Sequence, residues 1–416
     1  MRRAHTLARF AASAAAIAFA AVNTAVPVSA ATNPQATKAP AAMKMAAPMK
    51  PMATKAPINI GMIDSKTGFL SVYVAQFESG LKAGIDYLTQ GTGIVDGHKL
   101  VFTEEDDAGA PATGVTEAKG LIGQGYKILV SGGSSGVAAS IAPLAKENQV
   151  LYISGAAAYD GLTGANRYTF RAGRQTAQDV ATAAQIMGDP KGKTVVVFAQ
   201  DTLFGKANYA AVQHFMGGAT VTPVFAPLSA NDFSPFAQKL KDLHPDMLFI
   251  AWAGTTGAAM WKALDDQGVL ASTKVVTGMD GTYTYPLYAT IAPRVTFLAH
   301  YFMQCCNNAM NKAMIAAYKK QGQIPEIFSG DGWVTAEMLV HAIQKSDGTD
   351  VEKMIGALEG WTFAAPKGGQ TIRIVDHAML QPMFISKLVG PPTALHPVLI
   401  KTLSPLAVAP PITPFK

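Results

Sequence analysis

The sequence predicts an α/β protein with two doubly wound lobes, each built on a parallel sheet covered by helices. Short, continuous apolar runs alternate with amphipathic stretches of helical period, which is the pattern of buried parallel strands followed by covering helices. About 360 residues follow the compositionally biased stretch 1–56. That length is too great for one ordinary hydrophobic core and sufficient for two.

The predicted elements alternate in the same order in both halves of the chain. In the first half, strands at 58–63, 99–104 and 128–131 lead into helices over 72–90, 114–124 and 137–148, and a further strand follows at 150–154. In the second half, strands at 194–199, 246–251 and 274–278 alternate with helices over 206–216 and 258–267.

The N-terminal 56 residues are predicted to direct export. Residues 1–30 have the form of a signal peptide, in which three early arginines precede the apolar run 10–22 and small residues at 28–30 offer a cleavage site. Residues 31–56 are dominated by Ala, Pro, Lys and Met and are predicted to form a disordered tether. No cysteine lies near the cleavage site, so we expect a periplasmic protein that is not lipid-anchored.

Charge and motif content exclude several functional classes. The net charge of +6 comes from residues 1–56, which hold three Arg, four Lys and no acid; 27 basic and 28 acidic residues remain beyond them. A near-neutral body predicts no nucleic-acid partner. The eight histidines lack metal-site spacing, and no glycine-rich nucleotide motif is present, so we expect neither a metal nor a cofactor.

Cys305 and Cys306 are adjacent. Neighbouring Cα atoms lie about 3.8 Å apart, closer than in an ordinary disulfide, so a vicinal bridge is strained but sterically allowed. The sequence leaves two possibilities open, a vicinal disulfide or a pair of thiols.

Two neighbouring strand-to-helix turns consist of small residues. The turn 131–136 follows one apolar strand, and the turn 155–158 follows the next. Small residues let a ligand approach the backbone, where free N–H groups and the helix dipole favour a carboxylate or phosphate. Because ligands bind at the carboxyl ends of parallel strands, these turns predict a site for a small anionic group.

Nine short motifs occur in a fixed order along the chain. They lie at 60–62, 67–68, 104–107, 131–136, 153–158, 170–171, 201–205, 231–234 and 278–281. Taken together they resemble the type I periplasmic solute-binding proteins of ABC importers, of the Leu/Ile/Val-binding group. The resemblance extends over about 58–389.

The resemblance implies the type I periplasmic binding protein fold, in which three crossover strands join two lobes that close on a ligand. It assigns 57–172 and 303–375 to lobe one, 173–302 and 376–390 to lobe two, and leaves 391–416 as a C-terminal tail.

The resemblance also implies binding residues. The serine that holds the ligand carboxylate is expected at Ser135, or at Ser134 if the turn aligns one residue differently. Backbone groups of Ala156 and Ala158 are expected to bind the carboxylate and the ammonium. Relatives often carry threonine at the position of Ala158, so a hydroxyl contact is missing here.

From lobe two, Phe204 is expected to cover the ligand where relatives have tyrosine, and Asp280 to pair with its ammonium where relatives have glutamate. Trp252 adjoins the position at which a second aromatic residue is expected, and Tyr73 is expected to contribute from lobe one. The structural alternatives are packing for Phe204 and Trp252 and helix capping for Asp280.

The predicted function is substrate binding for an ABC importer, with a small-molecule ligand and a membrane permease as partners and without catalysis. An apolar or branched-chain amino acid is the expected ligand; aromatic acids or amides are the alternative. A ligand-sensing receptor subunit of the same fold is a further alternative.

One enzyme alternative starts from the G-x-S-x-G sequence at 132–136, with Ser134 as nucleophile. A hydrolase would also need an acid and a histidine, for which Asp280 and either His300 or His377 are candidates. Because no H-G-G-G-like segment offers an oxyanion hole, binding remains the main prediction.

Overall fold

The computed structural model describes residues 52–254 and 256–415. The predicted signal peptide and most of the predicted tether lie outside the described residues. In the described ranges, no helix is both long and apolar enough to cross a membrane.

The first lobe is built on a six-stranded sheet of order β2-β3-β1-β4-β5-β6. Its elements are β1 (Ile58–Asp64), α1 (Ser71–Leu88), β2 (Ile94–Val95), β3 (His98–Asp106), α2 (Pro111–Gly123), β4 (Ile128–Ser131), α3 (Ser135–Asn148), β5 (Leu151–Ser154) and β6 (Thr169–Arg171). All pairs in this sheet are parallel except the short hairpin of β2 and β3.

The second lobe is built on a seven-stranded sheet of order β16-β15-β11-β10-β9-β7-β8. Its elements up to the end of β11 are α4 (Thr176–Met187), β7 (Thr194–Gln200), α5 (Leu203–Phe215), β8 (Thr220–Ala226), α6 (Ser234–Leu243), β9 (Met247–Ala251), α7 (Gly257–Asp266), α8 (Val269–Ser272), β10 (Lys274–Gly278) and β11 (Val295–Ala299). Its five strands from β7 to β11 run parallel.

After β11 the chain returns to the first lobe, where a helix over Ser329–Ser346 packs along α1. This segment contains α9 (Ala309–Lys319), α10 (Ser329–Ser346), α11 (Val351–Leu358), β12 (Thr362–Ala365), β13 (Gly368–Ile372) and β14 (Met379–Leu380). The last three strands form a small antiparallel sheet. The chain then enters the second sheet again as β15 (Met383–Val389) and β16 (His396–Leu403).

The predicted α/β architecture of two parallel-sheet lobes is therefore confirmed. Continuous apolar strands dictate it, because a strand buried on both faces needs helices on both sides. In β4, for example, all four residues are buried. The residue limits assigned to each lobe from the sequence stay a prediction. The structure differs from the predicted limits of the two terminal segments, the tail and the tether.

The first difference concerns the segment 391–416, which was predicted to be a tail. Its residues form β16, which pairs antiparallel with β15 at the edge of the second sheet. Val408 is then fully buried beside Met383 and Leu403 in the second lobe. Two residues later, the carbonyl oxygen of Pro410 accepts from Arg373 at 2.9 Å.

The second difference concerns the C-terminal limit of the predicted tether at residue 56. The N–H groups of Thr54 and Lys55 donate to the carbonyl of Gly97 at 3.0 and 3.1 Å. The Lys55 ammonium also lies 3.0 Å from the Asp96 carboxylate. Partners on this turn of the first lobe therefore order the last residues of the segment.

Cys305 and Cys306 form a vicinal disulfide shortly after β11. Asn311 holds this loop, because its amide donates to the carbonyl of Cys306 at 2.7 Å. The structure thus has the bridged one of the two states that the sequence left open.

Candidate ligand-binding site

A cavity of about 630 Å³ lies between the two lobes, at the carboxyl ends of their parallel strands. All eight residues predicted for the site line it: Tyr73, Ser134, Ser135, Ala156, Ala158, Phe204, Trp252 and Asp280. The structure therefore brings these residues together, and their contact with a ligand stays a prediction.

The first wall of the cavity is the start of α3. Ser134 is the N-cap residue, and its Oγ accepts from the Val137 N–H at 3.4 Å. The N–H groups of Ser135 and Gly136 donate to no acceptor among the described residues. Free N–H groups at a helix N-terminus bind anions, so this turn can accept a carboxylate. Because the Ser134 hydroxyl already caps the helix, Ser135 is the better placed of the two serines to contact a carboxylate.

Both backbone carbonyls expected at the site in the turn after β5 already accept hydrogen bonds within the protein. The carbonyl of Ala158 accepts from the N–H of Thr176 at 2.8 Å and from its hydroxyl at 2.9 Å. The carbonyl of Ala156 accepts from the guanidinium of Arg174 at 2.9 Å. A carbonyl has two lone pairs, so Ala158 has none left for an ammonium and Ala156 has one.

Charged residues outside the predicted site also line the cavity, where the chain crosses from β6 to α4. Arg174 and Asp179 both line it, with Nε and Oδ2 3.3 Å apart. Burial raises the pKa of Asp179 to about 6, although the Arg174 charge opposes that shift. His300 also lines the cavity, and burial lowers its pKa well below the usual value, so the ring is neutral.

Asp280 is the second residue after β10 and forms three hydrogen bonds. Its carboxylate accepts from Tyr73 Oη at 2.7 Å, from Tyr283 Oη at 3.2 Å and from the Gly281 N–H at 2.7 Å. Burial raises its pKa to about 6. Within the described part of the chain, no lysine or arginine forms an ion pair with it.

Aromatic side chains form the second-lobe wall. Phe204 lies in the first turn of α5 and packs against the sheet, so it both fills space and lines the cavity. Trp252 Nε1 donates to the Thr256 hydroxyl at 3.0 Å, and its ring lies 5.3 Å from that of Phe198. These contacts hold the tryptophan in one orientation at the cavity surface.

Within the described residues, Ser134 and the candidate histidines are not assembled into the arrangement that a serine hydrolase would need. His300 lies 3.4 Å from Asp331, whereas His377 stacks on Phe170 with ring centroids 3.7 Å apart. No hydrogen bond joins either histidine to Ser134 in the ranges that the structure describes. The site therefore combines free N–H groups at the start of α3, the carboxylate of Asp280, the buried pair of Arg174 and Asp179, and aromatic walls.

Comparison with known proteins agrees with this geometry. The chain is 26% identical over 300 residues to the Leu/Ile/Val-binding protein homolog 3 of Brucella melitensis, covering 71% of this chain and 81% of that protein. A crystal structure of an ABC-type branched-chain amino acid transporter from Rhodopseudomonas palustris is 31% identical, with TM-score 0.73, covering 86% of this chain and 100% of that chain.

A second solved structure carries an aromatic acid. It is a solute binding protein of an ABC transporter from Rhodopseudomonas palustris in complex with 3,4-dihydroxy benzoic acid. It is 25% identical, with TM-score 0.72, and the match covers 84% of this chain and 97% of that chain.

The family model for periplasmic binding proteins matches residues 57–391, which is most of the chain and includes every cavity residue discussed above. The fold, the position of the cavity and these relatives agree, and the chain belongs to the periplasmic binding protein family.

Proposed function

We propose that this protein is the substrate-binding component of an ABC importer and that it binds an apolar or branched-chain amino acid in the periplasm. One observation carries the choice of ligand. At the start of α3 the cavity has free N–H groups with partial positive charge, and elsewhere on its wall the carboxylate of Asp280 has no cationic partner among the described residues. A zwitterion carries a group complementary to each.

The energetics of Asp280 support this proposal. A buried carboxylate without a cation is costly, and its raised pKa reflects that cost. A ligand ammonium beside Asp280 would supply the missing positive charge. The apolar side chain of the ligand would then lie against Phe204 and Trp252, which line the same cavity. A volume of about 630 Å³ is within the usual range for small-molecule sites.

Calorimetry on Asp280→Ala tests the ligand class. If an amino acid binds through its ammonium, the variant should lose about 2–5 kcal/mol, or roughly thirtyfold to several-thousandfold in affinity. Asp201→Ala is the matched control, because Asp201 also lines the cavity but pairs with Lys206 at 2.8 Å. Unchanged tight binding of an amino acid by Asp280→Ala would contradict the proposal.

The second candidate ligand is an aromatic acid. Two observations favour it: Thr176 occupies the carbonyl of Ala158, and Asp280 already accepts three hydrogen bonds. An aromatic acid brings no amine, so Asp280→Ala should leave its affinity unchanged or improve it. The same pair of titrations therefore separates the two ligand classes.

We base the transport role on the family, because the solved structures compared above are described as parts of ABC transporters. A permease in the inner membrane would receive the ligand-loaded protein. Uptake of labelled ligand by cells with and without the gene tests this role. Loss of uptake supports transport, whereas unchanged uptake with a lost signalling response would favour the receptor-subunit alternative.

A further inference from the structure

We infer that Arg174 binds the carboxylate of the ligand and makes the site selective for acids over their amides. This inference rests on the proposed function, because it assumes that the ligand carries a carboxylate. It applies equally to an amino acid and to an aromatic acid. Arg174 lies outside the nine sequence motifs that carry the family resemblance, so they assign it no role.

Arg174 lies in the short linker between β6 and α4 and is only 9% exposed, and it lines the cavity. Its Nη1 donates to the carbonyl of Ala156 at 2.9 Å. Its guanidinium carbon lies 5.7 Å from the ring centroid of Phe328. These contacts fix the plane and position of the guanidinium at the cavity surface.

The donors of this guanidinium are not all used. Asp179 balances its charge, yet the 3.3 Å approach between Nε and Oδ2 does not form a hydrogen bond, and Nε has no other partner. Nη2 likewise has no acceptor in the described part of the chain. Arginine has five N–H donors in a planar fork, and buried arginine is rare unless those donors are paired. Nε is fully enclosed beside Asp179, so Nη2 is the unused donor that an acceptor in the cavity can reach.

The location of Arg174 identifies that acceptor as a carboxylate. The Ala156 carbonyl that it holds belongs to the turn after β5, and the Ala156 N–H donates to the carbonyl of Gly132 in the neighbouring turn at 3.3 Å. That neighbouring turn leads into α3, whose free N–H groups at Ser135 and Gly136 face the same cavity. A guanidinium fork beside free N–H groups is suited to a planar anion with two oxygens.

A carboxylate in this position would receive hydrogen bonds from two sides. The α3 turn would bind it through backbone groups, and Arg174 would bind it through charge and geometry. A primary amide has nearly the same shape as the acid, but it has one acceptor oxygen instead of two and no negative charge. Discrimination between an acid and its amide is therefore the property that Arg174 should control.

The experiment compares two acid and amide pairs, leucine with leucinamide and benzoate with benzamide. Each compound is titrated into wild type, Arg174→Gln and Arg174→Lys. Wild type should prefer the acid by about a hundredfold or more. Arg174→Gln should reduce that preference by about tenfold to a hundredfold. Arg174→Lys keeps the charge but not the planar fork, so its acid preference should lie between those of wild type and Arg174→Gln.

The outcomes separate this inference from the proposed function. If wild type binds none of these acids or other amino acids, the proposed function fails. If wild type binds an acid tightly and Arg174→Gln keeps the same acid preference, the proposed function stands and the inference about Arg174 is overturned. A wild-type preference for the acid below about tenfold overturns the inference without any variant.

Loss of folding in Arg174→Gln is covered by a double variant. Arg174→Gln leaves Asp179 as an unpaired buried carboxylate, which can destabilise the protein independently of binding. Arg174→Gln with Asp179→Asn removes both charges together. If this double variant keeps the wild-type acid preference, the inference is overturned; if it loses the preference, the inference is supported.

Discussion

The hydroxyl of Tyr73 donates to the carboxylate of Asp280 at 2.7 Å, which connects α1 of the first lobe to the loop after β10 in the second. The same hydroxyl accepts from the Gly254 N–H at 2.9 Å. One side chain of the first lobe therefore holds two loops of the second. These bonds require the lobes to be together, so they stabilise the closed arrangement of the cleft.

Removing this hydroxyl should weaken ligand binding. Tyr73→Phe leaves Asp280 with one fewer donor and the Gly254 N–H without an acceptor. A hydrogen bond to a charged group is worth about 1.5–3 kcal/mol, so calorimetry should show roughly tenfold to hundredfold weaker binding.

Tyr283→Phe is the matched control. Its hydroxyl also donates to Asp280, at 3.2 Å, but it belongs to the same lobe and does not join the two. Solution scattering should show that ligand-free Tyr73→Phe is more open than ligand-free Tyr283→Phe. Equal affinities and equal dimensions in the two variants would argue against a bridge between the lobes.

Gly254→Ala should hinder closure. Gly254 has φ of +79°, and a Cβ at this position would overlap the backbone carbonyl oxygen of Phe69 in the first lobe. We expect at least tenfold weaker ligand binding, because the clash arises only when the lobes are together. The backbone strain from a positive φ is present in either state.

Gly268→Ala separates strain from closure. Gly268 has a similar φ of +72°, and a Cβ there would meet nothing within 4 Å. Both variants should lose stability by about 1 kcal/mol in thermal unfolding without ligand. Only Gly254→Ala should also lose affinity, and equal binding by the two variants would contradict the prediction.

The affinity for an amino acid should fall as the pH drops below about 6, where the Asp280 carboxylate becomes protonated in the ligand-free protein. A neutral carboxyl cannot pair with an ammonium, so affinity at pH 5 should be about tenfold weaker than at pH 7. Asp280→Asn should flatten this profile in calorimetric titrations. An aromatic acid should show the opposite trend, because protonation removes a negative charge near its own.

The buried carboxyl of Glu337 should make stability depend on pH. Burial in α10 raises its pKa from 4.5 to about 8, against the hydrogen bond from Trp333 Nε1 at 3.3 Å. A raised pKa in the folded state gives stability below pH 4.5 that is lost as the pH rises through 8. Glu337→Gln should remove up to about 1.4 kcal/mol per pH unit of that loss between pH 5 and 7, measured by urea unfolding. Parallel stability profiles for wild type and the variant would contradict this assignment.

The sequence predicted the site where backbone geometry alone determines it. Small residues at the ends of two neighbouring strands placed Ser135 and Ala156 at one sheet edge, because parallel strands end together. Asp280 was placed by the same rule, since it lies two residues beyond the end of a strand. These positions need no knowledge of distant parts of the chain.

Arg174 and Asp179 could not be found in this way. An arginine in a linker is usually exposed, and the segments that bury this one, Ala156 and Phe328, are distant from it in sequence. The occupied carbonyl of Ala158 was missed for the same reason, because its donor Thr176 lies beyond the next strand. The strand β16 did leave a signal, the apolar run 398–400, but prolines on both sides obscured it.

The residues after β16 form a fourth crossing between the lobes. Val408 is fixed in the core of the second lobe, whereas Arg373 holds the carbonyls of Pro410 and Pro411 beside the first. Ala409 is the one residue between these anchors. A lobe rotation has to be absorbed by backbone torsions in each crossing segment.

Ala409 has little torsional freedom to contribute. The residue before a proline is confined to extended conformations, and the two prolines that follow have fixed φ. Opening the cleft therefore strains this crossing or breaks its bonds to Arg373, so the crossing raises the free energy of the open form. Apparent affinity scales with the population of the binding-competent form, so substitutions at 409–411 should retune affinity without touching the cavity.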